Sequence, residues 1–284
     1  MYLNKYKKYK NKYIELKIKT YNKVMEHSIS QINNNDIIMK GGNVDKEIYF
    51  IRHGKTIWNE LGRTQGQEAD IELNDEGIEQ AEKTGKYLKK FRLNENEFDC
   101  ILSSLLKRCK KTTKIICSYI DFDKSKIIYM DEIMEVKKGS MSGLTNDDEL
   151  MKNLNQLAKD KIKLIQDPIE KYKIELPINN DKFFNKIVKD NLLPIEGVET
   201  YDELLDRVEY LIEYIKTTDK QKILVITHSG YLEIMLKIMF NLSTLPIGNM
   251  SNGKNCSICY CTYKNNIFTM ISPQNTEHLS INLD

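Results

Sequence analysis

Glu47-Ile48-Tyr49-Phe50-Ile51-Arg52-His53-Gly54 sets four apolar residues in a row directly before a guanidinium, an imidazole and a residue with no side chain. A short unbroken apolar run that ends in polar and glycine residues reads as a strand covered on both faces. Glu47–Ile51 is therefore expected to deliver Arg52 and His53 at its carboxyl end. The same construction returns downstream, where the apolar strand Lys222–Thr227 leads into His228-Ser229-Gly230 and another helix.

Outward from the first strand, a polar helical start at Asp75-Glu76-Gly77 precedes a helix over Thr84–Phe91. Asp99–Leu102 reads as a second strand, Lys107–Tyr119 as a helix and Lys126–Ile133 as a third strand. Thr200–Lys216 reads as a helix because Leu204, Val208, Leu211, Ile212 and Ile215 fall on one face. Ser257–Lys264 and Ile267–Ser272 form a terminal hairpin, since Asn265-Asn266 between them suits the positive φ angles of a tight turn. Strands alternating with helices imply an α/β fold of three layers, α/β/α, around a mostly parallel central sheet, plus the hairpin. In such sheets ligands bind beyond the carboxyl ends of the strands. Arg52, His53 and His228 stand there, Ser103-Ser104 and Glu135 follow the other strands, and Arg108 lies just inside a helix. The topology thus gathers them on one edge.

Only four histidines exist, and a lone histidine is more often structural than catalytic. Two at equivalent strand ends, one beside arginine, favour a functional reading. A neutral imidazole is a good nucleophile toward phosphorus, and the phosphohistidine it forms can be hydrolysed. Glycine after His53 lets backbone approach a phosphate closely. Arg52 and Arg108 would hold its non-bridging oxygens as planar forks, and His228 would add a donor from the opposite side. Two guanidiniums and two imidazoles already offset a phosphate dianion, so no metal is called for. The leaving alkoxide needs an acid and the later water a base. Glu135, in a loop returning over the strand ends, suits both, against the plainer reading of a surface acid near Asp131 and Glu132.

Composition narrows the partners. The 284 residues are 40% hydrophobic and 30% charged with net charge +2, an ordinary globular balance without a strong field for nucleic acid. No apolar run reaches the roughly 20 residues of a membrane helix, and the lysine-rich start is unlike a secretory signal, so an intracellular, cytoplasmic protein is expected. Arg52, Arg63, Arg92, Arg108 and Arg207 are the only arginines in a chain that otherwise uses lysine. Arg52 and Arg108 are read as forks that lysine cannot imitate; for Arg92 and Arg207 drift and need are equally good readings. Cys256, Cys259 and Cys261 read as buried residues of one strand, Cys259 and Cys261 on one face and Cys256 on the other, rather than as a zinc knuckle.

Residues 1–44 form a basic extension apart from a catalytic domain over 45–284. Eight lysines fall in the first 23 residues, and Tyr2, Tyr6, Tyr9, Tyr13 and Leu16 recur at helical spacing. They suggest a solvated helical tail or, for residues 1–26, a helix docking on an anionic surface, membrane or nucleic acid. The block at residues 9–17 with Gly41-Gly42 beyond resembles the leader of many giant-virus proteins, which would imply association with a virion.

Arg52-His53-Gly54-Lys55-Thr56-x-Trp58-Asn59 and Gly62-Arg63-x-Gln65-Gly66 resemble the opening motif of the histidine phosphatase superfamily, in the branch of cofactor-dependent phosphoglycerate mutases and related phosphatases. Ser103-Ser104-Leu105-x-x-Arg108, the loop Glu135 to Thr145, Gly197-x-Glu199, Val225-x-Thr227-His228-Ser229-Gly230, Asn255-Cys256-Ser257-Ile258 and Asn275-Thr276-x-His278-Leu279 continue the resemblance in order to about residue 279. It implies a phosphoglycerate mutase-like fold and a metal-independent enzyme without cofactor. His53 would be the phosphorylated nucleophile, Arg52, Arg108 and His228 the rest of the pocket, and Glu135 the proton donor. Asn59 would add a phosphate contact, and Arg63 and Gln65 would line the mouth. The mutases carry arginine after the acid-loop glutamate and tyrosine three positions on; here stand Val136 and Lys138, and no arginine lies between Arg108 and Arg207. These losses favour a phosphatase; a small phosphorylated metabolite is expected as its substrate, and a monomer or homodimer as its state. The length of 144–194, read as a substrate-selecting lid, favours mutase-type transfer. A third reading is an idle binding or particle-packaged module that works through its basic tail.

Overall fold

In the computed structural model, which describes residues 46–92, 97–163, 195–240 and 253–281, the opening apolar run becomes β1 (Lys46–Arg52). There follow α1 (Ile57–Glu60), α2 (Asp75–Arg92), β2 (Cys100–Ser104), α3 (Lys107–Tyr119), β3 (Ile127–Met130) and α4 (Glu149–Lys163). α5 (Tyr201–Thr217), β4 (Lys222–Thr227), α6 (Ser229–Met239), β5 (Ile258–Lys264) and β6 (Ile267–Asn275) follow among the described residues. The expectations for residues 1–44, for 164–194 of the lid and for the Arg92 side chain lie outside the described residues. Among the described residues no helix is long and apolar enough to cross a membrane.

The six strands form one sheet in the order β3-β2-β4-β1-β5-β6. β3, β2, β4 and β1 run parallel, and β5 and β6 join them as an antiparallel hairpin. β1 shows why both faces are covered. Ile48 and Phe50 enter one core with Leu204, Val208 and Leu211 of α5 and Leu232 and Met235 of α6. Tyr49 and Ile51 enter the other with Leu88 of α2 and Cys109 and Ile116 of α3. Each such buried aliphatic side chain contributes about 1.5–3 kcal/mol. α5 starts sharply because Thr200 Oγ accepts the Glu203 N–H while the Glu203 carboxylate accepts the Thr200 N–H, a reciprocal cap. Asn265 and Asn266 close the hairpin at φ 50° and 63°, as their positions foretold.

α2 starts at the polar residues read as a helical start, Asp75-Glu76-Gly77, and runs unbroken through Thr84–Phe91; the Asn74 side chain accepts the Gly77 N–H at 2.9 Å and caps it. Two expectations are corrected. β3 ends at Met130 instead of Ile133, since a turn closed by Met134 N–H to the Asp131 carbonyl, 3.0 Å, swings Ile133 into the core. Cys256 precedes β5 in a left-handed turn at φ 56°, so strand alternation does not place it. Cys259 and Cys261 do share a face, their sulfurs 3.8 Å apart.

After β6 the chain folds His278 back against α2, 2% exposed and with its ring 5.2 Å from that of Tyr87. Thr84 Oγ donates to the Gln80 carbonyl, so it accepts from His278 Nε2–H at 3.0 Å. Nδ1 is left buried without a partner. Burial accordingly pulls the His278 pKa down to about 4. A depressed histidine pKa means that the folded chain binds the proton less readily than the unfolded one. Its contribution is complete above the unfolded value near 6.5 and is lost as pH falls through about 4. His278→Gln should therefore gain on the wild type by up to about 3 kcal/mol between pH 7 and pH 4, read from urea midpoints. A constant difference across that range would refute it.

Candidate active site

Parallel pairing of β1 with β4 sets Arg52 opposite Thr227, and the His53 N–H donates to the Thr227 carbonyl at 3.0 Å. The next residue on each strand is a histidine, and the two ring centroids lie 5.2 Å apart. His53 is 2% exposed and His228 fully buried. Gly54 is required at the turn: a Cβ there would stand 2.4 Å from the Gly77 carbonyl oxygen. Its N–H is held by Thr112 Oγ of α3 at 3.0 Å. The first turn of α3 carries Arg108, fully buried, beneath the loop at residues 66–69.

Hydrogen bonds assign both imidazoles. His53 Nδ1 lies 2.7 Å from the Gly54 carbonyl, which can only accept, so Nδ1 carries the hydrogen and Nε2 the lone pair. Arg108 Nε, which can only donate, lies 3.2 Å from His228 Nδ1. His228 Nε2 therefore bears the hydrogen and donates to Ser104 Oγ at 2.7 Å. The donor foreseen for a phosphate is thus engaged by Ser104. Burial first, then the charges of Arg108 and Arg52, hold the His53 pKa well below its ordinary value, against the smaller pull of the Gly54 carbonyl. His228 is held down likewise, by burial first and then by Arg108. Both rings are neutral at physiological pH, the form an attacking nitrogen requires.

Arg108 donates to His228, to the Gly66 carbonyl at 3.0 Å and to the Ala69 carbonyl at 3.4 Å, leaving two of its five N–H groups for an anion. Arg52 donates to the Gly253 carbonyl at 2.6 Å. Glu135 is 6% exposed. Its Oε1 accepts the N–H groups of Val136 and Tyr231, both at 2.9 Å, and Oε2 that of Gly230 at 3.2 Å. The carboxylate so sits on the first turn of α6, just past His228. A side chain at position 230 would exclude it, since a Cβ there would lie 2.7 Å from Oε1.

The three weaker candidates divide. Asn59 Oδ1 caps α1 through the Thr56 N–H at 3.2 Å and also accepts Asn255 Nδ2 at 3.2 Å, so its own NH₂ is the part available to an anion. Gln65 accepts Thr56 Oγ at 3.0 Å, and its Nε2 is buried without a partner. Arg63 instead donates to the Gly143 carbonyl at 2.6 Å, where Trp58 also packs, and so ties the opening motif to the acid loop.

Residues to which the sequence assigned no role hold the others in place. Ser104 engages His228, and Asn255 Nδ2 reaches the His53 carbonyl at 3.0 Å. Gln67 Nε2 donates to the Glu135 carbonyl at 2.6 Å. Arg207 and Glu199 pair bidentately at 2.7 and 2.8 Å behind the acid loop. The rarity of arginine was the only sequence signal for Arg207. Among the described residues no group of three or more His, Cys, Asp or Glu side chains could hold a metal ion. A neutral nucleophilic nitrogen, two guanidiniums and a carboxyl group on one edge can attack, hold and protonate a phosphate ester.

The sequence profile of the histidine phosphatase superfamily (branch 1) matches residues 48–175 and 170–276. The chain is 28% identical over 190 residues to the uncharacterized phosphatase PhoE of Bacillus subtilis, covering 66% of this chain and 75% of that protein. It is 26% identical to a 2,3-bisphosphoglycerate-dependent phosphoglycerate mutase of Buchnera aphidicola, covering 75% of this chain and 91% of the other. Among solved structures, a phosphoglycerate mutase from Bacillus anthracis superposes with TM-score 0.64 at 22% identity, over 84% of this chain and 96% of the other, a likeness of fold.

Proposed function

Since this chain belongs to the histidine phosphatase superfamily, we propose that it hydrolyses phosphomonoesters of small metabolites through a phosphohistidine on His53. The observation that carries this reading is the 2.7 Å bond from His53 Nδ1 to the Gly54 carbonyl, which leaves Nε2 as the attacking atom. Nε2 forms the bond to phosphorus while the bond to the alcohol oxygen breaks, and Glu135 gives that oxygen its proton. Water then attacks the phosphohistidine, Glu135 takes the water's proton, the P–N bond breaks and inorganic phosphate leaves. Arg52 and Arg108 hold the non-bridging oxygens, whose charge in the transition state they offset without a metal.

Hydrolysis is preferred to mutase-type transfer because Val136 and Lys138 stand where mutases contact their substrate. Lys138 is itself buried at 4% exposure, and its backbone bridges Val198. A mutase reading has in its favour the length of 144–194 and the 26% identity to a mutase over most of both chains. Residues 1–26 enter the proposal as a basic segment for an anionic surface on an intracellular enzyme.

The discriminating experiment offers 3-phosphoglycerate with a 2,3-bisphosphoglycerate primer in EDTA, beside an aryl phosphate. Release of inorganic phosphate from both, without 2-phosphoglycerate, is expected. Isomer appearing faster than phosphate would make the chain a mutase. Turnover that stops in chelator would remove metal independence, and no turnover of any phosphomonoester would favour an idle module.

A further inference from the structure

We propose that Arg207 is a positioning residue that aims the Glu135 carboxyl group at the leaving oxygen; this rests on the reading of Glu135 as proton donor. Arg207 lies on α5 and touches neither histidine in any contact described above, yet its guanidinium makes four hydrogen bonds around the acid loop. Nη1 donates to the carbonyls of Glu132, at 2.6 Å, and Met134, at 3.0 Å, just before Glu135. Nε and Nη2 hold the two oxygens of Glu199. Glu199, 3% exposed, in turn accepts the Lys137 N–H at 3.3 Å, and its own N–H donates to the Lys137 carbonyl at 3.3 Å. Backbone on both sides of Glu135 is thereby tied to one side chain. The same guanidinium lies 5.1 Å over the ring of Tyr231, whose N–H holds Glu135 Oε1 at 2.9 Å.

Only arginine can make this set. Two parallel N–H groups on one edge meet a carboxylate while another nitrogen reaches two carbonyls, and an ammonium offers no such fixed fork. A chain that places lysine at nearly every basic position keeps arginine here. Loss of the fork leaves Glu135 held only by the N–H groups on its carboxylate and by Gln67, without support for the loop on either side of it, and a displacement of about 1 Å in a reacting group can cost about 10²-fold in rate. Drift of a proton donor is felt only where the leaving oxygen needs a proton. An alkoxide needs it; a nitrophenolate, already stable as an anion, does not.

The test compares kcat/KM for 4-nitrophenyl phosphate and for a primary-alcohol phosphate that the wild type hydrolyses, using the full-length chain. The variants are Arg207→Lys and the double change Arg207→Met with Glu199→Leu, which removes both buried charges together and spares the fold an unpaired one. Glu135→Gln is run beside them. Both Arg207 variants should lose about 10²-fold on the alkyl ester and stay near wild type on the aryl ester. Unfolding or a general loss of structure lowers both rates alike, so equal falls, or no fall, would overturn the assignment of Arg207. If Glu135→Gln itself shows no preference between the two esters, the reading of Glu135 fails instead.

Discussion

Changing His53 to alanine is expected to lower kcat/KM by about 10⁴-fold or more and to abolish any phosphoenzyme trapped from labelled substrate. Among the described residues, the attacking atom is the only group at the end of β1 with a free lone pair in a neutral ring, and no neighbouring side chain can replace it. His228 cannot, because Arg108 occupies its Nδ1 and Ser104 receives the hydrogen of its Nε2. Cys109, whose sulfur lies 3.3 Å from His228 Nε2, cannot either: burial pushes its thiol pKa far above the ordinary value, so it stays protonated. The fold should persist, since the ring contributes one hydrogen bond to a neighbouring carbonyl while β1 pairs on both sides. Alkaline quench after labelled substrate, with circular dichroism as the control for folding, decides the matter. A phosphoenzyme that survives in the alanine variant would move the nucleophile elsewhere. Added imidazole restoring part of the rate would place the lost chemistry at the vacated ring.

The sequence made this residue visible because both requirements are local. An apolar run names a buried strand, and the residues just past it must stand at the strand's carboxyl end. The same logic found His228 and the α3 start with Arg108, whose positions follow from element boundaries alone. What stayed hidden depends on partners that exist only after folding. That β4 inserts between β1 and β2, and so sets Thr227 beside Arg52, is a matter of strand order, which periodicity does not report. Arg207 serves backbone carbonyls, and a carbonyl has no sequence signature. Ser104 is a short hydroxyl after a strand, one of two adjacent serines, and only the Nε2 contact tells which of them engages the histidine. Cys256 was misplaced for a related reason: β propensity carried the strand two residues too far back, across a position the turn holds at positive φ. The loop before Glu135 differs again. Ile133 has strand character but is taken into the core by the turn at Asp131–Met134, and that turn sets the direction from which Glu135 approaches α6.

Arg108→Met should reduce kcat/KM at neutral pH by about 10²–10³-fold, the usual cost of one fixed donor to a developing charge, and should also move the acid limb of the pH profile upward. The second effect follows from the causes that hold His53 neutral. Burial is the largest and survives the substitution; the charge of Arg108 comes next and does not. With that charge gone the His53 pKa rises toward its ordinary value, and protonation begins to remove the nucleophile at a higher pH than in the wild type. The ratio of variant to wild-type kcat/KM, measured from pH 4 to 8, cancels the ionisation of the substrate itself and isolates this movement. The ratio should therefore fall further as pH drops, then level where both enzymes are protonated. Stability carries the same sign. A fold that keeps His53 and His228 neutral binds fewer protons than the unfolded chain, so wild-type stability declines as pH falls below about 6.5. Without Arg108 that decline should be shallower, although the Gly66 and Ala69 carbonyls lose a donor, at about 1–3 kcal/mol each where they stay dry. A rate loss that is uniform across pH would show that Arg108 acts on the phosphoryl oxygens alone and that Arg52 and burial suffice to keep the nucleophile neutral.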